Sequence, residues 1–317
     1  MNHLATRRHL WYAISLIAII PGVVSLALFG LRQGIDFTGG TLWELRFDQS
    51  IESETVADVF AENGYNDTVI QISSDDGTDN VAVVRMKELR EGSPEKTAIE
   101  EDLRATIGDF TELQISTVGA SVGNEIRDRA VIAVVLASVG ILLYIAYAFR
   151  NTQNPVLYGI CAIVGMLHDV LLVVGIFSIL GEVANVEIDA LFVTAVLTVI
   201  GFSVHDTIVV FDRIRENLAN RAAPTFLDVV NYSLAQTIVR SLNNSITVVF
   251  TLLALFLFGG ESTQEFVLAL LIGVISGTYS SIFNASQLLV SWETGEIHRL
   301  FGRTHTPDAE TLAAPTR

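Results

Sequence analysis

The chain has 317 residues, half of them hydrophobic, and a mean hydropathy of +0.49, which excludes a soluble protein holding its apolar residues in a single core. Its formal net charge is nonetheless −16, so apolar and acidic residues are segregated along the chain, and so negative a surface excludes nucleic acid as a partner. The one cysteine, Cys161, lies in an apolar run, which rules out a disulfide framework and any CxxC metal or redox motif.

Residues 1–30 place Arg7 and Arg8 before an apolar stretch from Leu10 to Gly30. About twenty apolar residues exceed the core of a signal peptide, and further spans follow, so this reads as a retained first transmembrane helix. Residues 31–129 are hydrophilic and hold 21 Asp and Glu against 9 Lys and Arg, so this stretch carries −12 of the total charge. Lys87 and Lys96 are the two lysines of the whole chain. The acidic, lysine-poor composition reads either as halophilic adaptation, where the Debye length shrinks to about 3 Å at 1 M salt, or as an acidic docking face.

Within this domain the order is a strand at Thr41 to Phe47, a helix at Ser53 to Asn63 and a strand at Thr68 to Ser73. A strand near Val81 to Met86, a helix from Pro94 to Ile107 and a strand at Glu112 to Val118 follow. Asp75, Asp76 and Gly77 make the central hairpin turn, and Ser93-Pro94-Glu95 opens the second helix with a cap and a proline at its first position. The order β-α-β-β-α-β is the ferredoxin-like signature, a fold that requires no metal and no cofactor.

Five more apolar stretches follow at Ala130 to Phe149, Pro155 to Leu180, Ile188 to Phe211, Ser245 to Phe258 and Phe266 to Trp292. The fifth span of the chain gains adequate length when extended back through Leu242 and Asn243. The fold class is therefore an α-helical polytopic membrane protein of six transmembrane helices, with a small α+β ferredoxin-like external domain between helices 1 and 2. Residues 130–300 hold helices 2–6 and a cytoplasmic loop at 212–241, and residues 301–317 read as a disordered cytoplasmic tail. In that loop Asp212 to Arg221 continues the fourth span, while Phe226 to Val239 reads equally as a helix lying at the interface or as an ordinary loop helix. Arg7, Arg8, Arg150, Arg213, Arg215, Arg221, Arg240, Arg299, Arg303 and Arg317 all fall on one side if the N-terminus is cytoplasmic, and the opposite loops carry Glu182, Glu187, Glu261 and Glu265. Both termini are then cytoplasmic in a cell membrane, and 31–129 is extracytoplasmic.

Ionisable side chains at membrane depth cost about 2.5–3.5 kcal/mol each on insertion scales, so those retained need a reason. Asp206 in the fourth span, Asp169 in the third and Arg240 at the start of the fifth stand out. A carboxyl group away from bulk water can take up and release protons as its access changes, and the approach of Arg240 would favour its ionised form. The bland alternative is a static buried pair of Asp206 and Arg240 that fixes helix register. Asp169 lies about 21 Å along its helix from Pro155 and Asp206 about 9 Å from Asp212, depths that argue against direct contact. His168 and His205 each precede an aspartate, and since adjacent helical positions point about 100° apart, neither is placed to pair with its neighbour or to bind a metal. No phosphate-binding glycine loop and no nucleophile elbow is present, so neither ATP nor covalent catalysis drives the chain and no enzymatic activity is expected.

Gly34-Ile35-Asp36-Phe37-Thr38-Gly39-Gly40 resembles the GIDFxGG signature of the SecD/SecF family, and Val118-Gly119-Ala120-Ser121-Val122-Gly123 resembles its VGxxVG segment. Gly201 to Asn217, GFSVHDTIVVFDRIREN, with Thr207, Asp212 and Arg213, is similar to the fourth-span motif of the family's SecF branch. About 95 residues between the first two spans fit SecF, because SecD has a larger external region. The resemblance implies a subunit that pairs with SecD and works beside a SecYEG-type channel. There it promotes export of polypeptides through a lipid membrane, using a proton or sodium gradient. It implies that Asp206 is the essential intramembrane aspartate and Arg240 the fifth-span arginine. The family commonly has Tyr where Phe202 stands, Asn in place of His205 and Thr in place of Asn244. His205 either tunes an ion path or replaces an amide, and sodium would favour oxygen ligands such as Asp206, Thr207 and Ser203. A small-molecule or lipid exporter of the RND class and a scaffold without a transport cycle are the competing readings.

Overall fold

The computed structural model of the chain describes residues 4–75, 78–150, 152, 154–260 and 263–296. Asp76, Gly77, Glu261, Arg299, Arg303, Arg317 and the expected tail 301–317 lie outside them. In chain order the helices are α1 (Arg8–Leu28), α2 (Ile35–Thr38), α3 (Ser53–Glu62), α4 (Pro94–Thr106), α5 (Ala120–Ala148), α6 (Pro155–Ala184), α7 (Ala190–Ala219), α8 (Phe226–Phe258), α9 (Gln264–Ser280) and α10 (Ser286–Glu293). A π-helical segment, Ser281–Ala285, joins the last two. The strands are β1 (Gly40–Phe47), β2 (Val69–Asp75), β3 (Thr78–Met86) and β4 (Phe110–Val118). Two compact units result, one of residues Gln33–Val131 and one formed by the chain before and after it.

The Gln33–Val131 unit is an antiparallel sheet in the order β2-β3-β1-β4, the ferredoxin-like arrangement expected from the element order. Alternation along β1 buries Trp43, Leu45 and Phe47, which pack with Val56, Val59 and Phe60 of α3 and Ile99 and Leu103 of α4. A bulge between Glu44 and Leu45 shifts the β1–β4 register. Ser93 accepts a hydrogen bond from Lys96 N at 3.2 Å, and Pro94 fills the first position of α4, which sets where that helix starts. Lys96 is nearly enclosed. Its Nζ lies 2.7 Å from Glu112 and 5.2 Å from the centroid of the Trp43 ring, while Trp43 Nε1 donates to the same carboxylate at 2.8 Å.

Six helical stretches among the described residues are long and apolar enough to cross a bilayer, the second of them beginning in the sheet unit and the last running from Gln264 to Glu293. Gly22 of α1 and Gly175 of α6 meet backbone to backbone, since a β-carbon added at either would lie 2.7 Å from the other's α-carbon. The Ser25–Ser178 hydroxyl pair at 2.9 Å follows one turn on. Helices α6, α7 and α9 are half or more buried, whereas α5 and α8 bury little.

Two expected boundaries are corrected. The helix that carries the Ala130 to Phe149 stretch begins ten residues before it. α5 starts at Ala120 and carries its charged first turns within the helix, where Arg129 and Glu125 pair at 2.6 Å. Phe226 to Val239 is neither a separate interfacial helix nor a loop helix, because α8 runs unbroken from a Thr225 cap through Arg240 to Phe258. Arg240 thus stands inside a helix that begins well before it, and the 212–241 segment is helical on both sides of a short connection.

Candidate functional site

The centre of the membrane unit is built where α6, α7 and α9 pack. Small residues in α9 permit it: a β-carbon on Gly277 would sit 3.2 Å from Ser203 Cα and 3.6 Å from Asp169 Oδ2. Asp169 is fully enclosed. Its Oδ2 accepts from Ser203 Oγ of α7 and Ser280 Oγ of α9, each at 2.6 Å. Its Oδ1 accepts from Ser276 Oγ of α9 at 2.6 Å and lies 2.9 Å from His168 Nδ1. A buried carboxylate without such donors would be prohibitive, and three serine hydroxyls with the His168 ring nitrogen beside them stand in for its water shell. Next to this cage the Thr207 and Ser281 hydroxyls lie 2.9 Å apart, and each is also within hydrogen-bond distance of the Ser203 carbonyl oxygen, so one of them donates to the other and the other to the carbonyl. Ser281 opens the π-helical segment, a widening often found at functional sites.

Asp206 sits one turn beyond Ser203, facing α8. It is 2 % exposed, its Oδ2 has no hydrogen-bond partner, and its carboxyl neighbours are Ser245 and His205, the latter with Nδ1 3.7 Å from Oδ1. Thr278 Oγ1 donates to Ser245 Oγ at 2.5 Å, which ties α9 into the same polar patch. Arg240 is exposed and makes no ion pair with Asp206, so the static buried pair does not form in this chain. Along α8, Arg240, Asn243, Asn244, Thr247 and Thr251 are all exposed, and along α7 so are Thr194, Thr198, Gly201 and His205. Both sets follow helical spacing, so each helix turns a polar or small-residue stripe outward. Gly201 has open space beside it.

Two expectations about the aspartates are corrected. His168 does reach its neighbour: Nδ1 comes within hydrogen-bond distance of Asp169. The depths of Asp169 and Asp206 also do not differ widely. Ser203, bonded to Asp169, is only three residues from Asp206, a rise of about 4.5 Å. Measuring from Asp212 misled because α7 continues to Ala219. The serines of α9 were not singled out as site residues, although Gly273, Ser276, Gly277, Ser280, Ser281 and Asn284 recur at helical spacing in an otherwise apolar segment. That small-polar period is the signal that could have found them.

The remaining motif residues form local devices. Gly34 precedes α2, Ile35, Asp36 and Phe37 form its turn with Phe37 buried, and Gly39 and Gly40 end it with φ of +74° and +124°. A β-carbon on Gly39 would lie 2.6 Å from Ala120 Cα, and one on Gly123 would lie 2.9 Å from the Phe37 carbonyl oxygen. The GIDFTGG turn and the VGASVG segment are therefore packed on each other. In the extension of α7, Asp212 pairs with Arg215 at 2.5 Å and Arg213 with Glu216 at 2.9 Å.

With this geometry in view, the comparisons with known proteins decide the family. Residues 98–295 match the family described as protein export membrane protein SecD/SecF, C-terminal, and residues 24–51 match the SecD/SecF GG motif. The chain belongs to the SecD/SecF family. Protein translocase subunit SecF of Thermobaculum terrenum is 56% identical over 96% of this chain and 98% of its own length, and that of Anaerolinea thermophila is 40% identical over 97% and 99%. Full-length similarity of this kind places the chain with the SecF members of the SecD/SecF family. Protein translocase subunit SecDF of Bacillus subtilis is 34% identical over 93% of this chain, which spans 38% of it. The crystal structure of SecDF, a translocon-associated membrane protein from Thermus thermophilus, superposes with a TM-score of 0.79 at 33% identity, covering 93% of this chain. This chain spans only 39% of that one. The GG motif and the small sheet unit, six spans and a polar centre between them are thus features of a SecD/SecF membrane protein.

Proposed function

We propose that the chain is the ion-coupled SecF subunit of a protein translocase, a transport component that catalyses no covalent chemistry. It pairs with SecD in the membrane, and the pair works beside a SecYEG-type channel to draw or release exported polypeptide on the outer side. Asp206 is the switching group, with a proton or sodium ion as the coupling ion. Both termini are cytoplasmic, and the ferredoxin-like unit is extracytoplasmic. The chain's similarity to part of a fused SecDF supports a partner that supplies the rest.

The observation that carries this reading is the pairing of a buried, incompletely satisfied carboxylate with an outward-facing polar stripe. Asp206 Oδ2 lacks a partner, while Arg240, with Asn243, Asn244 and Thr247, faces away from this chain's own helices. An arginine and two amides are costly against lipid, so a second set of helices covering α7 and α8 removes that cost. It also brings Arg240 and Asp206 into one closed, polar junction. Arg240 lies about 7.5 Å along α8 from Ser245, the residue of that helix against Asp206, so a small rearrangement of the covering helices is enough to bring the two charges together or apart. Approach of the guanidinium favours the carboxylate, and retreat favours its protonated or sodium-bound form.

The test compares wild type with Asp206→Asn in vesicles holding SecD and the channel, with and without an imposed ion gradient. Asp206→Asn is expected to co-purify with SecD and to lose gradient-dependent export. Full stimulation in that variant would leave only the scaffold reading, and a changed sensitivity to small toxic compounds with normal export would favour an exporter.

A further inference from the structure

We propose that His168 is a second charge-carrying group of the membrane unit, separate from Asp206, with Asp169 as its fixed counter-charge. This rests on the ion-gradient reading for its role in a cycle, but its chemistry stands on the geometry of α6 and α9. A carboxylate offers about four lone-pair positions. In Asp169 all four are used, two by Ser203 and Ser280 at Oδ2 and two by Ser276 and His168 at Oδ1. The cage therefore leaves no lone pair of this carboxyl group open to a further donor.

The neighbouring ring is built the other way. His168 Nδ1 is committed to Asp169, while Nε2 is buried and has no partner. A proton can therefore be added at Nε2 without breaking a bond, since Nδ1–H donates to Oδ1 in the neutral ring and in the imidazolium alike. The proton comes from water: the Nε2 lone pair forms the new N–H bond as the O–H bond of a hydrated proton breaks, and the imidazolium later returns it to water. The Tyr279 ring lies over the imidazole at 6.1 Å between centroids and 29° between planes, a face that suits a cation. The Tyr279 hydroxyl in turn lies 3.3 Å from Ser15 Oγ, which reaches Asn284 Oδ1 at 2.9 Å, and Asn284 Nδ2 is buried without a partner.

The other ionisable groups around α6 are already engaged or turned elsewhere. Tyr279 donates its hydroxyl to the Trp11 carbonyl at 2.9 Å, and Tyr12 of α1 pairs with Ser291 at 3.0 Å. Arg8 is ion-paired to Glu296, with Nε 2.9 Å from the carboxylate. Asp206 and His205 of α7 lie towards α8, Glu293 of α10 has a partner of its own, and Cys161 is two turns away on α6. The negative charge beside His168 is thus that of Asp169.

The test is 15N-histidine NMR on the full chain with its SecD partner in lipid nanodiscs, followed from about pH 5 to 9. The sequence has six histidines, and His168→Gln identifies the signal. Should that variant fail to insert, replacing the other five leaves the His168 signal alone. The His168 ring is expected to change protonation within the range, with Nδ1 keeping its proton, and Asp169→Asn is expected to alter that response. A ring held in one protonation state throughout would overturn the proposal. Gradient-driven export run in parallel separates the two readings. Loss of coupling in Asp206→Asn beside an inert His168 would sink this inference alone. A titrating His168 beside full coupling in Asp206→Asn would sink the Asp206 role and leave this inference standing.

Discussion

Replacing Gly39 with alanine tests whether the GG motif is a packing device or only a flexible turn. Gly39 has φ +74°, and an added β-carbon would lie 2.6 Å from Ala120 Cα and 2.8 Å from Ala120 N, backbone atoms with no side-chain freedom to yield. Gly64 has φ +87° with nothing within 4 Å of the same added carbon. Both alanines incur the left-handed backbone penalty of about 1–2 kcal/mol. Only Gly39→Ala adds overpacking, typically about 1–3 kcal/mol more. Hydrogen exchange in the full chain reads the difference, because amides of β1 and β4 open with the sheet that the α2 turn anchors. Exchange there should be faster in Gly39→Ala than in Gly64→Ala by about 5- to 150-fold, at about 1.4 kcal/mol per factor of ten. Equal exchange in the two variants would refute the argument that the contact with Ala120, and not backbone freedom, is why a glycine stands at 39.

Removing two donors from Asp169 with Ser276→Ala and Ser280→Ala should destabilise the membrane unit by about 1.5–3 kcal/mol for each charge-assisted bond lost. Ser286→Ala, whose buried hydroxyl donates to the Ile282 carbonyl four residues back and reaches no carboxylate, is the control, and melting in detergent should separate them clearly. In the sheet unit, burial pulls the Lys96 ammonium down, but the hydrogen bond and charge of Glu112, with Glu100, outweigh it and hold the group above its ordinary 10.5. A raised folded value means the stabilisation is full below that pH and is lost as pH rises through the folded value. Lys96→Met should therefore flatten the fall in melting temperature expected on the alkaline side, and an unchanged slope would contradict this. Gly22→Val places atoms within 2.7 Å of the Gly175 backbone, so α1 should separate from α6. A cysteine pair at Ser25 and Ser178 should cross-link readily with Gly22 present and poorly without it.

The spans and the order of strands and helices in the small unit follow from local pattern. Twenty apolar residues have no other solvent than lipid, alternation in Thr41 to Phe47 has one buried face, and Ser93-Pro94 can only open a helix. Boundaries failed where local composition changes but the backbone does not. Nothing between Phe226 and Phe258 is a glycine or proline, so α8 passes through Arg240 without a break. The charged residues of Glu125 to Arg129 likewise support a helix by pairing along it.

Asp169 and Asp206 were both legible as carboxylates in apolar surroundings, which single them out by cost alone. What surrounds each was not legible, because the donors to Asp169 come from residues 34, 107 and 111 positions away in the chain. A serine in a transmembrane segment can bond its own helix four residues back or reach across to another, and its sequence context is the same in both cases. Packing of α6, α7 and α9 around Gly277 chose between these outcomes. It left Asp169 saturated, Asp206 short of a partner and Arg240 facing outward, three different fates for ionisable groups that composition treats alike.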